Sequence, residues 1–122
     1  MPLSEWIRLV PGDLDGDAVG LWQVIPALRM AFGLDDAEIE RVTRQILAEL
    51  MARGARPVVG VCPPDARWNE VTRYGDSASA IIDGVMAEWH AMGRDPDVED
   101  VWFALPELFR HDPSGPAGED LQ

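Results

Sequence analysis

The sequence predicts an α+β domain, winged-helix-like in the order of its elements, with three main helices and a short antiparallel sheet. Three observations carry this. Two amphipathic stretches, Ala18 to Phe32 and Asp35 to Arg53, repeat apolar residues at three- and four-residue intervals. Two short β-rich runs, Pro57 to Cys62 and Arg67 to Tyr74, follow at once around a Pro63-Pro64-Asp65 turn. A third amphipathic stretch from Ser77 then leads through Gly93-Arg94-Asp95-Pro96 into the apolar run Val101-Trp102-Phe103-Ala104-Leu105. Two helices followed directly by a β-ribbon is winged helix-turn-helix order, and the last helix and strand are expected to close back over that ribbon. At 122 residues there is enough chain for one core and too little for two, so residues 1–109 read as a single acidic domain. Residues 110–122, with the composition of a linker, read as a flexible tail.

Taken in order, Pro2 to Val10 carries Trp6, Ile7, Leu9 and Val10 and predicts a short helix or extended arm ended by Pro11-Gly12-Asp13. Asp13-Leu14-Asp15-Gly16-Asp17 places carboxylates at alternate positions but lacks the distal glutamate of a calcium loop. A turn and an Asp17 N-cap account for it better. In the first main helix Pro26 removes a backbone donor and crowds the carbonyl of Trp22, which predicts a kink or break near Gln23, and Gly33 is a natural C-cap. The second has the clearest signals. Asp35 and Glu38 form a capping box, Arg53 and Gly54 mark the end, and Ile39, Val42, Ile46, Leu47, Leu50 and Met51 make the buried stripe. Glu40 and Arg44 are spaced to pair on its outside. The third opens at Ser77 or Ser79 and buries Ala78, Ile81, Ile82, Val85, Met86 and Trp89; Pro106 to Phe109 adds one more turn.

Charge narrows the function. Asp and Glu number 22 against ten arginines, the chain has no lysine, and the net charge is -12. A field of that sign disfavours nucleic acid and anionic membrane surfaces as ligands and favours a basic protein partner. No cofactor is expected, because there is neither a GxGxxG turn nor a P-loop lysine. No metal site is expected either, since Cys62, His90 and His111 match no ligand spacing. Catalysis would have to come from Glu88, His90, His111 or Cys62. His90 reads as a solvated histidine at the core's edge and Cys62 as a buried strand-end thiol, so the chain is not read as an enzyme. One cysteine excludes an internal disulfide, and Met1-Pro2-Leu3-Ser4-Glu5 has no basic leader region; a cytoplasmic location is expected.

The candidate surface lies on and after the third helix. Asp83, Glu88, Asp95, Asp97, Glu99 and Asp100 stand against Arg94 alone between Ser77 and Leu105, a local net charge of -5. With Trp102 they are the expected partner-binding residues. Trp22, Trp68, Trp89 and Trp102 are expected in or at the edge of the core, and an exposed one would mark a contact surface, Trp68 or Trp102 before the others.

Val19-Gly20-Leu21-Trp22, Gly33-Leu34 before the helix ending Leu50-Met51-Ala52-Arg53-Gly54, and Glu88 to Pro96 followed by Val101-Trp102-Phe103 together resemble a family of small acidic bacterial proteins of unassigned function. The likeness spans Asp17 to Leu105, and Gly-Arg-Asp-Pro with Trp-Phe is its most specific part. Pro26 and Pro63-Pro64 depart from the family's pattern. The family is loosely similar to immunity proteins of polymorphic toxin systems, which implies a protein that masks a basic toxin domain through an acidic surface. The alternative is a winged-helix regulator or adaptor that binds nucleic acid through Arg41, Arg44, Arg53, Arg56, Arg67 and Arg73.

Overall fold

The computed structural model describes residues 1–15, 17–60 and 68–109. Through them the chain runs α1 (Leu3–Leu9), a 3-10 segment (Val10–Asp15), β1 (Val19–Gly20), α2 (Leu21–Met30), α3 (Asp36–Ala52), β2 (Arg56–Gly60), β3 (Trp68–Glu70), α4 (Ala78–Met92), β4 (Trp102–Ala104) and a 3-10 turn (Pro106–Leu108). The α+β class and the three main helices stand as the periodicity requires. The short α1 is a fourth helix, and the winged-helix comparison rests on linear order alone.

Local chemistry sets the helix ends. Asp35 accepts from the Glu38 amide at 2.9 Å while Glu38 accepts from the Asp35 amide at 3.0 Å, closing the capping box of α3. Ser77 Oγ accepts from the Ala80 amide at 3.1 Å and caps α4, which ends at Gly93 in the left-handed region. Gly33, at φ 66°, turns the chain out of α2, and the Leu34 amide returns to the Leu28 carbonyl at 3.1 Å.

The first main helix differs from expectation at its start. Val19 and Gly20 pair with Phe103 and Trp102 as β1, so α2 begins at Leu21 and not at Ala18. Asp17 therefore does not cap it; its carboxylate accepts from the Ala18 amide at 2.7 Å, and the cap position belongs to Gly20. The helix runs through Pro26 without the break expected near Gln23, which lies in its first turn.

The sheet is antiparallel in the order β1-β4-β2-β3. β4 closes back beside the ribbon, where Trp102 and Phe103 pair with Val58 and Pro57 of β2. It enters between β1 and β2, with Phe103 opposite Val19 on one side and Pro57 on the other. The second expected strand shortens to Trp68–Glu70, after which the chain turns through Gly75 at φ 98°. Val61 to Arg67, with the Cys62 strand end and the proline turn, lie outside the described residues, as do Gly16 and the 110–122 tail.

Alternation along β4 separates two apolar clusters. Phe103, fully buried, joins Val19 and the apolar faces of α2, α3 and α4 in the main core. Ala104 faces the other way, with Val58, Ala18 and Phe109, partly covered by Trp68, Trp102 and Leu108. Burial follows the expected stripes of α3 and α4 except that Met51 is half-buried and Ala78, in the first turn of α4, is exposed; in the first main helix Trp22, Met30 and Ala31, expected on the apolar face, are exposed.

One residue in the core breaks the apolar rule. Thr43 of α3 is fully buried and its hydroxyl has no hydrogen-bond partner. A buried hydroxyl left unpaired costs about 1–3 kcal/mol. Thr43→Val keeps the shape and removes the penalty, so it is expected to raise unfolding stability by about 1 kcal/mol, measured as a higher urea midpoint at unchanged slope.

Candidate functional site

The six predicted acids do not form one free patch. Asp95, in the turn after α4, accepts from Arg29 Nε at 2.8 Å and from its Nη2 at 2.9 Å, and the same Nη2 reaches Asp36 at 2.7 Å. Trp89 Nε1 adds a longer contact at 3.4 Å. Asp95 thus ties the end of α2 to the start of α3 and the end of α4. The Arg29 guanidinium holds the Asp95 carboxyl below the usual carboxylate range, and the two acids raise Arg29 in turn.

Asp83 serves the seam between α3 and α4. It accepts from Arg44 at 2.7 Å, and Arg44 also holds Glu40 at 2.9 Å. The other oxygen of Glu40 meets His90 Nε2 at 2.7 Å, so Glu40 is depressed by His90 first and Arg44 second. Glu88 faces the opposite side, where it takes two bonds from Arg73, at 2.8 and 3.0 Å, and one from the Tyr74 hydroxyl at 2.7 Å. The Arg73 guanidinium lies 4.7 Å from the centre of the Tyr74 ring. Burial and the adjacent Glu88 push the Tyr74 hydroxyl up, while Arg73 draws Glu88 down.

The acidic corner from 97 to 100 is built on its own hydrogen bonds. Asp100 accepts from the Asp97 amide at 2.8 Å and from Arg94 at 3.1 Å, and Asp97 accepts from the Glu99 amide at 2.9 Å. Burial raises Asp100, but the Asp97 amide and Arg94 outweigh it and leave it below its ordinary value. Asp100 acts electrostatically on Glu88, and Arg94 feels Asp97, Glu99 and Asp100 together. The structure therefore gathers Asp97, Glu99 and Asp100 into one corner, holds Glu88 on Arg73 and Tyr74, and ties Asp83 to Arg44 and Asp95 to Arg29. Glu99 is exposed, and among the described residues it is the one of the six in no ion pair.

Trp102 sits where this corner meets the sheet. Its Nε1 donates to the Val98 carbonyl at 2.9 Å, and Val98 itself is 58% exposed. The Trp102 ring lies 5.0 Å from Trp68 on one side and 6.0 Å, edge to face, from Trp22 on the other. Trp22 is the most exposed of the three at 37%, although the strand tryptophans were the expected markers of a surface. The row is possible because position 20 is glycine. A Cβ there would stand 2.7 Å from Trp22 and 2.9 Å from Trp102. The signal for this was Gly20 two residues before Trp22, but its meaning depends on Trp102 arriving from the far end of the chain.

Other chemistry is sparse. His90 borders a cleft of about 190 Å³, whose walls include Arg29, Asp36, Trp89, Arg94 and Asp95 and which is smaller than typical ligand pockets. No group of three metal-ligating side chains occurs among the described residues, and no described helix is long and apolar enough to cross a membrane. Cys62 and His111 lie outside those residues. No family model, curated protein or solved structure matches the chain.

The depressed carboxylates give a pH dependence. Glu40, Glu88, Asp95 and Asp100 titrate lower folded than unfolded. Their contribution is complete above the unfolded value, about 4, and is lost as pH falls through the folded values. Urea midpoints are expected to hold from pH 7 to 5 and to fall below about pH 4. Asp95→Asn is expected to lower the plateau and flatten part of that fall, because Arg29 then keeps only Asp36 as a charged partner.

Proposed function

We propose that the protein is a protein-binding module of the immunity type, which neutralises a basic toxin domain by masking it with an acidic surface. The observation that carries this reading is the meeting of the 97–100 corner with exposed Val98 and the tryptophan row at Trp102. An excess of carboxylates draws a cationic surface in and sets its orientation. Desolvated aromatic and aliphatic side chains then hold it, since interface energy concentrates in such anchors. Glu99 and Val98 supply charge and apolar surface from adjacent positions, and Trp102 lies under them. Masking needs no catalytic group.

Four of the six arginines argue against the nucleic-acid alternative, while Arg41 is exposed and in no ion pair among the described residues. Arg44 is held by Glu40 and Asp83, Arg53 by Glu49 at 3.1 Å, Arg56 by Glu70 at 3.4 Å and Arg73 by Glu88. Phosphate binding would have to displace those carboxylates. Arg67 lies outside the described residues.

The test is co-purification from the native host at low and at moderate salt. The expected result is one basic protein retained in stoichiometric amount and reduced at least about tenfold, a loss of about 1.4 kcal/mol, when Glu99→Lys and Val98→Asp are combined. Co-expression with that protein's toxic domain is expected to restore growth with the wild type and not with the double variant. Retention of DNA without any protein would overturn the reading.

A further inference from the structure

In a chain so rich in acids, an arginine without a carboxylate is the exception. Among the described residues Arg29, Arg44, Arg53, Arg56, Arg73 and Arg94 each hold at least one acid, whereas Arg8 and Arg41 hold none. Arg8 is exposed on α1, and Glu5 stands one turn before it at a spacing that permits a pair, yet none forms. Both unpaired guanidiniums are placed about one cleft. Arg8 lines a cavity of about 340 Å³ between α1 and α3, and Arg41 stands one turn before Gln45, which lines it from α3. That volume falls within the range of small-molecule sites. The floor is apolar, with Ile46 and Pro11 buried and Ile7 half-buried. The other lining groups are mostly donors: Ser4 and Gln45 are neutral, and Arg53 gives its Nε to Glu49 at 3.1 Å while its terminal nitrogens have no partner among the described residues.

We propose that this cleft between α1 and α3 binds a small organic carboxylate, its acid group on Arg8 and Arg53 and its apolar body on Ile7, Pro11 and Ile46. Guanidinium N–H groups without acceptors match a carboxylate, which can take two parallel bonds from one arginine. Charge selects the ligand further. Two arginines against Glu49 leave one positive charge in the lining, enough for a monoanion and too little for the near-dianion that a phosphate monoester carries. The net charge of -12 repels anions from the molecule as a whole, so such a ligand can be held only where cations are locally in excess. The cleft shares no residue with the 97–100 corner or the tryptophan row, and the proposal does not depend on the protein-binding reading.

Titration of the isotope-labelled full chain with phenylbutyrate, followed through its amide resonances, tests this against phenylbutanol, phenylbutylamine and phenylbutyl phosphate, which change only the head group. Phenylbutyrate is expected to shift the amides of α1 and of residues 45–53 saturably. It is expected to bind at least about fivefold more tightly than the alcohol or the amine, and more tightly than the phosphate. Arg8→Gln, at an exposed position, is expected to bring the acid down to the affinity of the alcohol. Glu49→Gln, which removes the opposing charge and frees Arg53, is expected to strengthen it at least about twofold. A loss in the first variant with a gain in the second is a pattern that misfolding does not produce. Equal affinities for acid and alcohol, or tighter binding of the phosphate, would overturn the carboxylate site, and so would the absence of saturable shifts at the cleft.

Discussion

Every strand of the sheet takes its place from β4. Phe103 is fully buried with Val19 on one flank and Pro57 on the other, so the two-residue β1 and the hairpin of β2 and β3 belong to one sheet only through it. The same segment sets the start of α2, because the Leu21 amide bonds the Val101 carbonyl at 3.1 Å just past the β1–β4 pairing. Position 20 and position 102 are opposite each other although most of the chain separates them. Such a pairing carries the loop-closure entropy of the whole chain between its strands, which the helices offset by bringing the ends together. The turn preceding β4 has to be held accurately for this register. Asp95 on Arg29, and Asp100 on Arg94 and the Asp97 amide, do the holding.

That division of labour changes what the net charge means. Each of these ion pairs is partly exposed and contributes little by itself. Their value lies in position: each joins elements or turns that the apolar core does not pin. An acid so used is neutralised locally and presents less field to a partner. The field available for docking comes from acids outside such pairs, and near Trp102 that means Glu99. Summing the six acids between Ser77 and Leu105 therefore overstates the strength of the surface and misplaces its centre.

The legible parts of the fold were those fixed by neighbours in sequence. The capping box of α3, the Ser77 cap of α4 and the left-handed glycines at their ends each involve residues within a turn of one another, and the structure has them as read. Val19-Gly20 was absorbed into a helix because two residues cannot show a strand period, and its partner lies in β4. Arg29 and Asp95, 66 residues apart, carry no sequence sign of their pairing, so Asp95 read as surface charge. Thr43 drew no expectation, since a single polar residue within an apolar stripe does not reveal whether its hydroxyl finds a partner. For the candidate site, residue types were legible and the grouping was not: Trp102 and the 97–100 corner were found, while Trp22 was assigned to the core.

Why tryptophans should stand on the outer sheet face follows from the layer count. The large apolar cluster lies on the helix side, and across the sheet stand Ala18, Val58, Ala104 and Phe109, too few to make a second core. Trp68 and Trp102 roof that small cluster, which is why each is half-buried and why the stacked rings stabilise the domain. Trp22 is not part of that roof; it leans on Trp102 from the first turn of α2 and keeps more than a third of its surface in water. A large aromatic left in water forgoes hydrophobic stabilisation that burial would supply. Gly20 compounds this, since it leaves a β-strand position without a side chain in order to admit the two rings. A side chain at position 20 would have to displace Trp102 as well as Trp22, so the glycine is tied to the roof itself. What separates the roof from the exposed aromatic surface is thus a single residue, Trp22, set by the strand-to-helix junction at Gly20.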